Sequence, residues 1–206
     1  MAELNLNEIN DLQFDVLREI GNIGAGNATT ALAQLMNMKI DMGVPNVSLV
    51  PITEIAGMIG SEEEVVVGIL LGMQDDVNGM IMFLLDQNST NVICKTLMGK
   101  EYTSVEEYGE MECSMLNEIG NIIAGSYLSA LSTLTNLTIT ATVPGVAIDM
   151  AGALLSVPAI EYGKIGDKVL FIENKVGEND LISGYIVMVP DLESYGKILS
   201  SLGIEV

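Results

Sequence analysis

"EIGNIGAGNATTALAQLMN" at residues 19–37 aligns without a gap on "EIGNIIAGSYLSALSTLTN" at residues 118–136, an offset of 99 positions. The correspondence runs well beyond this stretch. Val44-Pro45 falls on Val143-Pro144 at the same offset, and after a short insertion "NGMIMFLLD" at 78–86 resembles "SGYIVMVPD" at 183–191. Each half then closes on a similar segment, "NSTNVICKTLMG" and "LESYGKILSSLG". Self-similarity at a fixed spacing marks one supersecondary unit used repeatedly, so the chain reads as one unit used twice.

Periodicity and turn residues give the elements of that unit. A long helix over about 11–36, and again over about 105–135, leads to a strand near 38–50 and 137–149. A short helix or irregular segment follows near 51–60 and 150–162. Two apolar strands come next in each half, 64–73 with 78–86 and 167–176 with 181–189, joined by the polar turns "QDDVNG" and "GEND" as expected of hairpins. Closing helices run over about 88–98 and 191–202. No Gly/Ser-rich or Pro-rich linker separates the halves. The expected fold is therefore a mixed α/β (α+β) domain over 1–206 made of two repeats, about 11–99 and 105–203, with pseudo-twofold symmetry. Its long helices pack on a continuous, mostly antiparallel sheet, which leaves fewer open edges than two separate three-stranded sheets would.

At 206 residues and 49% apolar content the chain can bury a sizeable core. Its apolar runs are short and interrupted, and "MAELNLNEIN" at the start is acidic and polar, so no membrane span or secretory signal is read and a cytoplasmic location is expected. Against 28 Asp plus Glu stand 8 Lys plus Arg, a net charge of −20. Such a surface repels phosphate backbones and anionic lipid heads, which excludes nucleic acid and membrane as partners. Histidine is absent, removing the usual general base, the Ser-His and Cys-His nucleophile pairs and imidazole metal ligands. Cys94 and Cys113 are too few and too isolated for zinc or a disulfide framework and read as reduced, buried fillers. Asp75-Asp76 with Asn78-Gly79 suits a hairpin turn better than a divalent-metal loop. "GNIGAGN" follows no strand, lacks the dinucleotide-binding order and has no P-loop lysine.

A helical wheel at about 100° per residue sorts the repeated helix into two faces. Leu17, Ile20, Gly24, Ala28, Ala31, Leu32 and Leu35 cluster on one side, which must face the core. The opposite stripe carries Asp15, Glu19, Asn22, Gly26, Thr29, Thr30 and Ala33, and in the second copy Ser114, Glu118, Asn121, Gly125, Leu128, Ser129 and Ser132. Glu and Asn three apart are surface neighbours on a helix. The glycine one turn further costs up to about 1 kcal/mol relative to Ala in a solvent-facing helix. It flattens a patch for the close approach of another protein, lets the two long helices cross tightly, or merely survives from a recent duplication.

Without histidine, Glu and Asn divide the chemistry between them. A carboxamide is neutral, both donates and accepts hydrogen bonds, and can hold a water in line for attack on a phosphoryl group without repulsion. A carboxylate in that place would be repelled, so Glu suits a partner's cation and the register of the complex.

The pattern Asp15-x3-Glu19-x2-Asn22 and Ser114-x3-Glu118-x2-Asn121, with the internal duplication, resembles the CheC family of chemotaxis phosphatases, relatives of CheX and FliY. The resemblance implies dephosphorylation of the phosphorylated response regulator CheY, with the aspartyl phosphate and its Mg²⁺ both on the regulator and no cofactor or metal of the chain's own. It implies Asn22 and Asn121 as the residues that orient the hydrolytic water and Glu19 and Glu118 as the anchors on a regulator lysine. Asp15, Gly26, Thr30, Ser114, Gly125 and Ser129 then belong to the partner-binding stripe. It further implies a monomer or a heterodimer with CheD, a receptor-modifying deamidase. Unlike CheX, which resembles a single-motif unit that must dimerise, this chain carries both motifs. Ending at Val206 without a switch domain of the FliY and FliM kind, it is expected not to be a flagellar-switch component. A non-catalytic adaptor for phosphorylated CheY or CheD is the alternative that the same stripe allows. Both sites are expected to work, with different efficiencies, since "GAGNATT" follows the first motif and "IAGSYLS" the second.

Overall fold

Asn10 begins the first long helix. Its side chain accepts the Gln13 N–H at 2.9 Å, and the Gln13 side chain accepts the Asn10 N–H at 3.0 Å, so two otherwise orphaned donors are satisfied reciprocally. The computed structural model describes residues 9–38, 44–162, 168–176 and 182–204. Residues 1–8 of the acidic start, residues 39–43 of the strand expected near 38–50, and the turn expected at 177–180 lie outside the described residues.

From that cap runs α1 (Asp11–Leu35), followed by β1 (Asn46–Pro51), α2 (Ile52–Ile59), β2 (Val65–Asp75), β3 (Gly79–Leu85) and α3 (Gln87–Met98). A 3-10 turn (Val105–Glu107) then precedes α4 (Glu110–Thr135), β4 (Ile139–Ala141), β5 (Gly145–Met150), α5 (Ala151–Tyr162), β6 (Lys168–Val176), β7 (Ile182–Pro190) and α6 (Leu192–Ser201). The closing helices start alike: Asp86 accepts the Ser89 N–H and Asp191 accepts the Ser194 N–H, each at 2.7 Å. Two boundaries differ from the expectation. The second long helix begins at Glu110 rather than near 105, because the 3-10 turn intervenes. The strand expected over 137–149 is split into β4 and β5, and Pro144, which has no N–H for a ladder, lies in the break.

All seven strands form one sheet in the order β1-β6-β7-β3-β2-β4, with β5 also on β2, and every pairing is antiparallel. The hairpins β2–β3 and β6–β7 join along β3–β7, where Met82 stands opposite Val187. The strand after each long helix crosses over. Thus β1 pairs with β6 of the other half, Val47 opposite Ile172, and β5 pairs with β2, Val67 opposite Ile148. Each half completes its sheet with a strand from the other.

Side chains alternate across the sheet, and the central strand β3 is buried along its whole length. Ile81, Phe83 and Leu85 pack with α1, α3, α4 and α6, through Leu17, Ile20, Ile93, Leu116, Ile119 and Ile198 among others. Met80, Met82 and Leu84 pack on the other face with Ile55 of α2 and Leu154 and Leu155 of α5. The sheet is therefore a middle layer. The methionines at 80 and 82 act as adaptable core.

The crossing from the first half to the second is clamped by Glu112, a buried carboxylate in the first turn of α4. Its Oε2 accepts the Gly109 N–H at 2.9 Å, its Oε1 accepts the Tyr102 hydroxyl, and Lys100 Nζ lies 3.3 Å from the same oxygen. The Tyr102 and Gly109 donors hold the Glu112 carboxyl well below its ordinary value of 4.5, at about 2. A carboxyl whose folded pKa is depressed contributes stability that is present above the unfolded value and lost as pH falls through the folded one. Glu112→Gln is accordingly expected to lower the urea midpoint at pH 7, with the gap to wild type narrowing below pH 4.5 and closing near pH 2, as read from denaturation curves across that range.

Candidate functional site

The inward glycines of the two long helices explain how the helices sit. A Cβ on Gly120 would lie 2.4 Å from Ile69 Cγ2 on the sheet, and one on Gly21, the equivalent position in α1, would lie 3.0 Å from Val47 Cγ2. A Cβ on Gly24 would lie 2.4 Å from the ring of Tyr127 on the neighbouring helix. Gly24 and Gly120 need glycine for close approach, whereas a methyl at Gly21 would ask Val47 to give by only a few tenths of an ångström. Gly125 is different, since nothing lies within 4 Å of a Cβ built there. Tight crossing therefore accounts for Gly24, and Gly125 is a bare spot on an outer face.

Around that spot the second motif is open: Ser114, Glu118, Asn121, Gly125 and Ser129 are all exposed. Its helix borders an open groove of about 620 Å³ that Asn121, Gly125 and Ser129 line from α4 and Ile23 and Asn27 line from α1. The Asn27 amide donates to the Ile23 carbonyl at 2.9 Å, one turn back along its own helix. The groove floor is thus a seam between the two halves.

The first motif is less open. Glu19 and Thr30 are exposed, but Asn22 and Gly26 are half-buried. The Asn22 carbonyl oxygen is shielded from solvent and has no hydrogen-bond partner among the described residues. A buried acceptor left unpaired costs about 1–3 kcal/mol. The Thr30 hydroxyl is already spent on the Gly26 carbonyl at 2.8 Å. Asp15 pairs with Arg18 at 2.9 Å, a surface ion pair of small energetic weight. The second copy has Ser114 and Asn117 in those places and no such pair. Two stripes that look alike in sequence therefore present different surfaces.

Two positions assigned to the exposed stripe are buried. Thr29 is covered by β6, where the Asn174 amide donates to its hydroxyl at 2.6 Å, and Leu128 packs into the core on the inner side of α4. Both sit on the flank of the wheel, where the neighbouring element decides exposure. Ile123 is partly buried against the core. Cys94 is buried and burial pushes its thiol pKa up, but Cys113 is only half-buried and is not a core filler. Arg18, Ile23 and Asn27 were missed. Arg18 was within reach of an i,i+3 pairing rule applied to Asp15, whereas Ile23 and Asn27 enter only once the two helices are laid side by side.

Among the described residues no group of three or more Asp, Glu or Cys side chains could hold a metal ion. The Asp75–Asn78 turn uses its carboxylates elsewhere: Asp75 accepts the Thr140 hydroxyl at 2.6 Å and Asp76 the Thr138 N–H at 2.8 Å, tying the turn to β4. No helix among the described residues is long and apolar enough to cross a membrane.

Comparison with known proteins finds a model of the CheC-like family matching twice, at residues 12–49 and 111–148, each match taking in one long helix and its motif. The CheY-P phosphatase CheC of Bacillus subtilis is 36% identical over 202 residues, covering 96% of this chain and 97% of that protein. Among solved structures, FliY of Thermotoga maritima superposes with a TM-score of 0.72 at 22% identity, covering 95% of this chain and 98% of that one. A chain from a CheX-CheY-BeF3-Mg²⁺ complex of Borrelia burgdorferi is similar with a TM-score of 0.53 at 20% identity, covering 82% of this chain and 95% of that one.

The glycine assignments separate by stability. Gly125→Ala is expected to raise unfolding free energy by up to about 1 kcal/mol, the helix-propensity gain at an open position. Gly120→Ala, which collides with Ile69, is expected to lower it by about 1–3 kcal/mol. Paired urea denaturation curves check both signs.

Proposed function

The chain belongs to the CheC-like family, and from that premise we propose that it is a protein phosphatase that hydrolyses the aspartyl phosphate of the response regulator CheY. The observation that carries this reading is the pair of Glu-x2-Asn motifs on two adjacent helices, with Glu19, Glu118 and Asn121 exposed and an open groove of about 620 Å³ between the helices that Asn121 lines. The name of the Bacillus subtilis relative and the CheX-CheY complex of a structural neighbour support the same partner.

The mechanism follows from what the residues can and cannot do. Water must reach phosphorus opposite the aspartyl oxygen, and hydrolysis then yields free aspartate and inorganic phosphate. Asn121, and Asn22 after its amide turns outward, orient that water through neutral hydrogen bonds that add no charge beside the phosphoryl group. Glu118 and Glu19 grip a lysine of the regulator, a charge-assisted contact that sets register. The Mg²⁺ that offsets phosphoryl charge belongs to the regulator's own acidic site. With a chain charge of −20 meeting an acidic partner, these local pairs work against the long-range field, and added salt speeds association. CheD is the second partner of the proposal, joined in a heterodimer to an otherwise monomeric chain, and no residue is assigned to it.

The two sites differ in readiness. Asn121 is exposed beside the groove, whereas Asn22 carries a shielded carbonyl oxygen and must reorient. In a phosphate-release assay on phosphorylated CheY, Asn121→Ala is expected to remove the larger share of activity and Asn22→Ala the smaller. The double variant is expected to fall by about 10²-fold, the scale set by loss of a positioned reactant. A double variant as active as wild type contradicts the mechanism.

A further inference from the structure

The two long helices meet through residues that the duplication has not kept equal. At the offset of 99 positions Gly24 corresponds to Ile123 and Ala28 to Tyr127. One contact is thus a glycine against a tyrosine, and its pseudo-symmetric counterpart is an isoleucine against an alanine. The first is filled to the limit: Tyr127 is 0% exposed, and a Cβ on Gly24 would come within 2.4–2.7 Å of three of its ring atoms. Its hydroxyl has no hydrogen-bond partner among the described residues, and burial pushes the phenol pKa up, so the ring is held there by shape rather than by a polar contact. The second contact is slack. Ala28 and Ile123 line a partly open cavity of about 50 Å³ together with Leu32, Ile69 and Phe83 among others.

These contacts lie under different sites. Gly24 falls between Asn22 and Gly26 in the chain, and Ile123 falls between Asn121 and Gly125. The turn that carries Asn22 therefore rests on a packed ring, and the turn that carries Asn121 rests beside a void. Interiors at native density transmit a displacement instead of absorbing it, while a gap lets a turn settle without moving its neighbours. We infer that Gly24 and Tyr127 are positioning residues for the first site, fixing the height and rotation of the Asn22 turn on α4, while the second site stands on a floor that does not depend on them. The inference rests on the phosphatase reading above, and concerns how one of its two amides is held.

The test separates the sites with Asn121→Ala and Asn22→Ala parents and follows phosphate release from phosphorylated CheY, with folding checked by thermal melting. Gly24→Ala adds a methyl where the ring stands. In the Asn121→Ala parent it is expected to lower kcat about tenfold or more, within the loss that a displacement on the order of 1 Å produces. KM should change much less, and kcat in the Asn22→Ala parent should stay. Adding Tyr127→Leu, which shortens the side chain that the methyl meets while still filling the contact, should restore part of the lost kcat. Tyr127→Phe keeps the ring and should leave both sites unchanged. If Gly24→Ala does not fold, Tyr127→Ala alone decides, since it should lower first-site kcat without touching the second. A Gly24→Ala protein that melts earlier but keeps its first-site kcat overturns the inference, as does an equal loss at both sites. Turnover in the Asn22→Ala parent but none in the Asn121→Ala parent overturns the positioning role alone. No turnover by the wild-type protein overturns the phosphatase reading and the positioning role with it, and turnover by wild type but by neither parent overturns the independence of the two sites on which the positioning role rests.

Discussion

Strand exchange between the halves is the constraint from which the rest of the molecule follows. Because β1 completes the sheet of the second hairpin and β5 that of the first, neither half closes its own hydrogen-bonding edge without the other. An exposed edge is an aggregation hazard, and the exchange covers the outer edge of each hairpin with a strand from the partner half. The long helix just before each exchanged strand is drawn across in turn, so α1 and α4 end up side by side over the same sheet. Two motifs that lie 99 residues apart in the chain are thereby held on one surface.

The chemistry proposed for that surface is sparing because the chain has little to work with. It has no histidine, no metal cluster among its described residues, and two free cysteines, Cys94 buried on α3 and Cys113 half-buried beside Ser114. What remains is an amide that can orient water and a carboxylate that can hold a cation, both placed so that a partner must supply the electrophile. Duplication then provides two such sites whose surroundings have drifted apart. One has an Asp15–Arg18 pair and a shielded amide oxygen, and the other has an open amide beside a groove.

Much of this was legible in the residues. The gapless alignment of 19–37 on 118–136 fixed the duplication, and turn residues such as Asp75–Asn78 marked the first hairpin. The outward direction of Glu19, Glu118 and Asn121 followed from helical spacing alone. Strand exchange did not follow, because antiparallel pairing leaves no local mark that says which half supplies the partner. The flank positions Thr29 and Leu128 were misread for a related reason: a wheel at 100° per residue knows the helix but not the strand or helix beside it. The groove was invisible for the same cause, since Ile23 and Asn27 acquire meaning only against Asn121 on the neighbouring helix.

The most direct test of the central claim is multiple turnover. Phosphorylated CheY in large excess over this protein, followed by phosphate release, should lose many phosphoryl groups for each protein molecule, well above the regulator's own decay. Release that stops at one equivalent or never exceeds that decay would make the stripe a surface for capture and contradict catalysis.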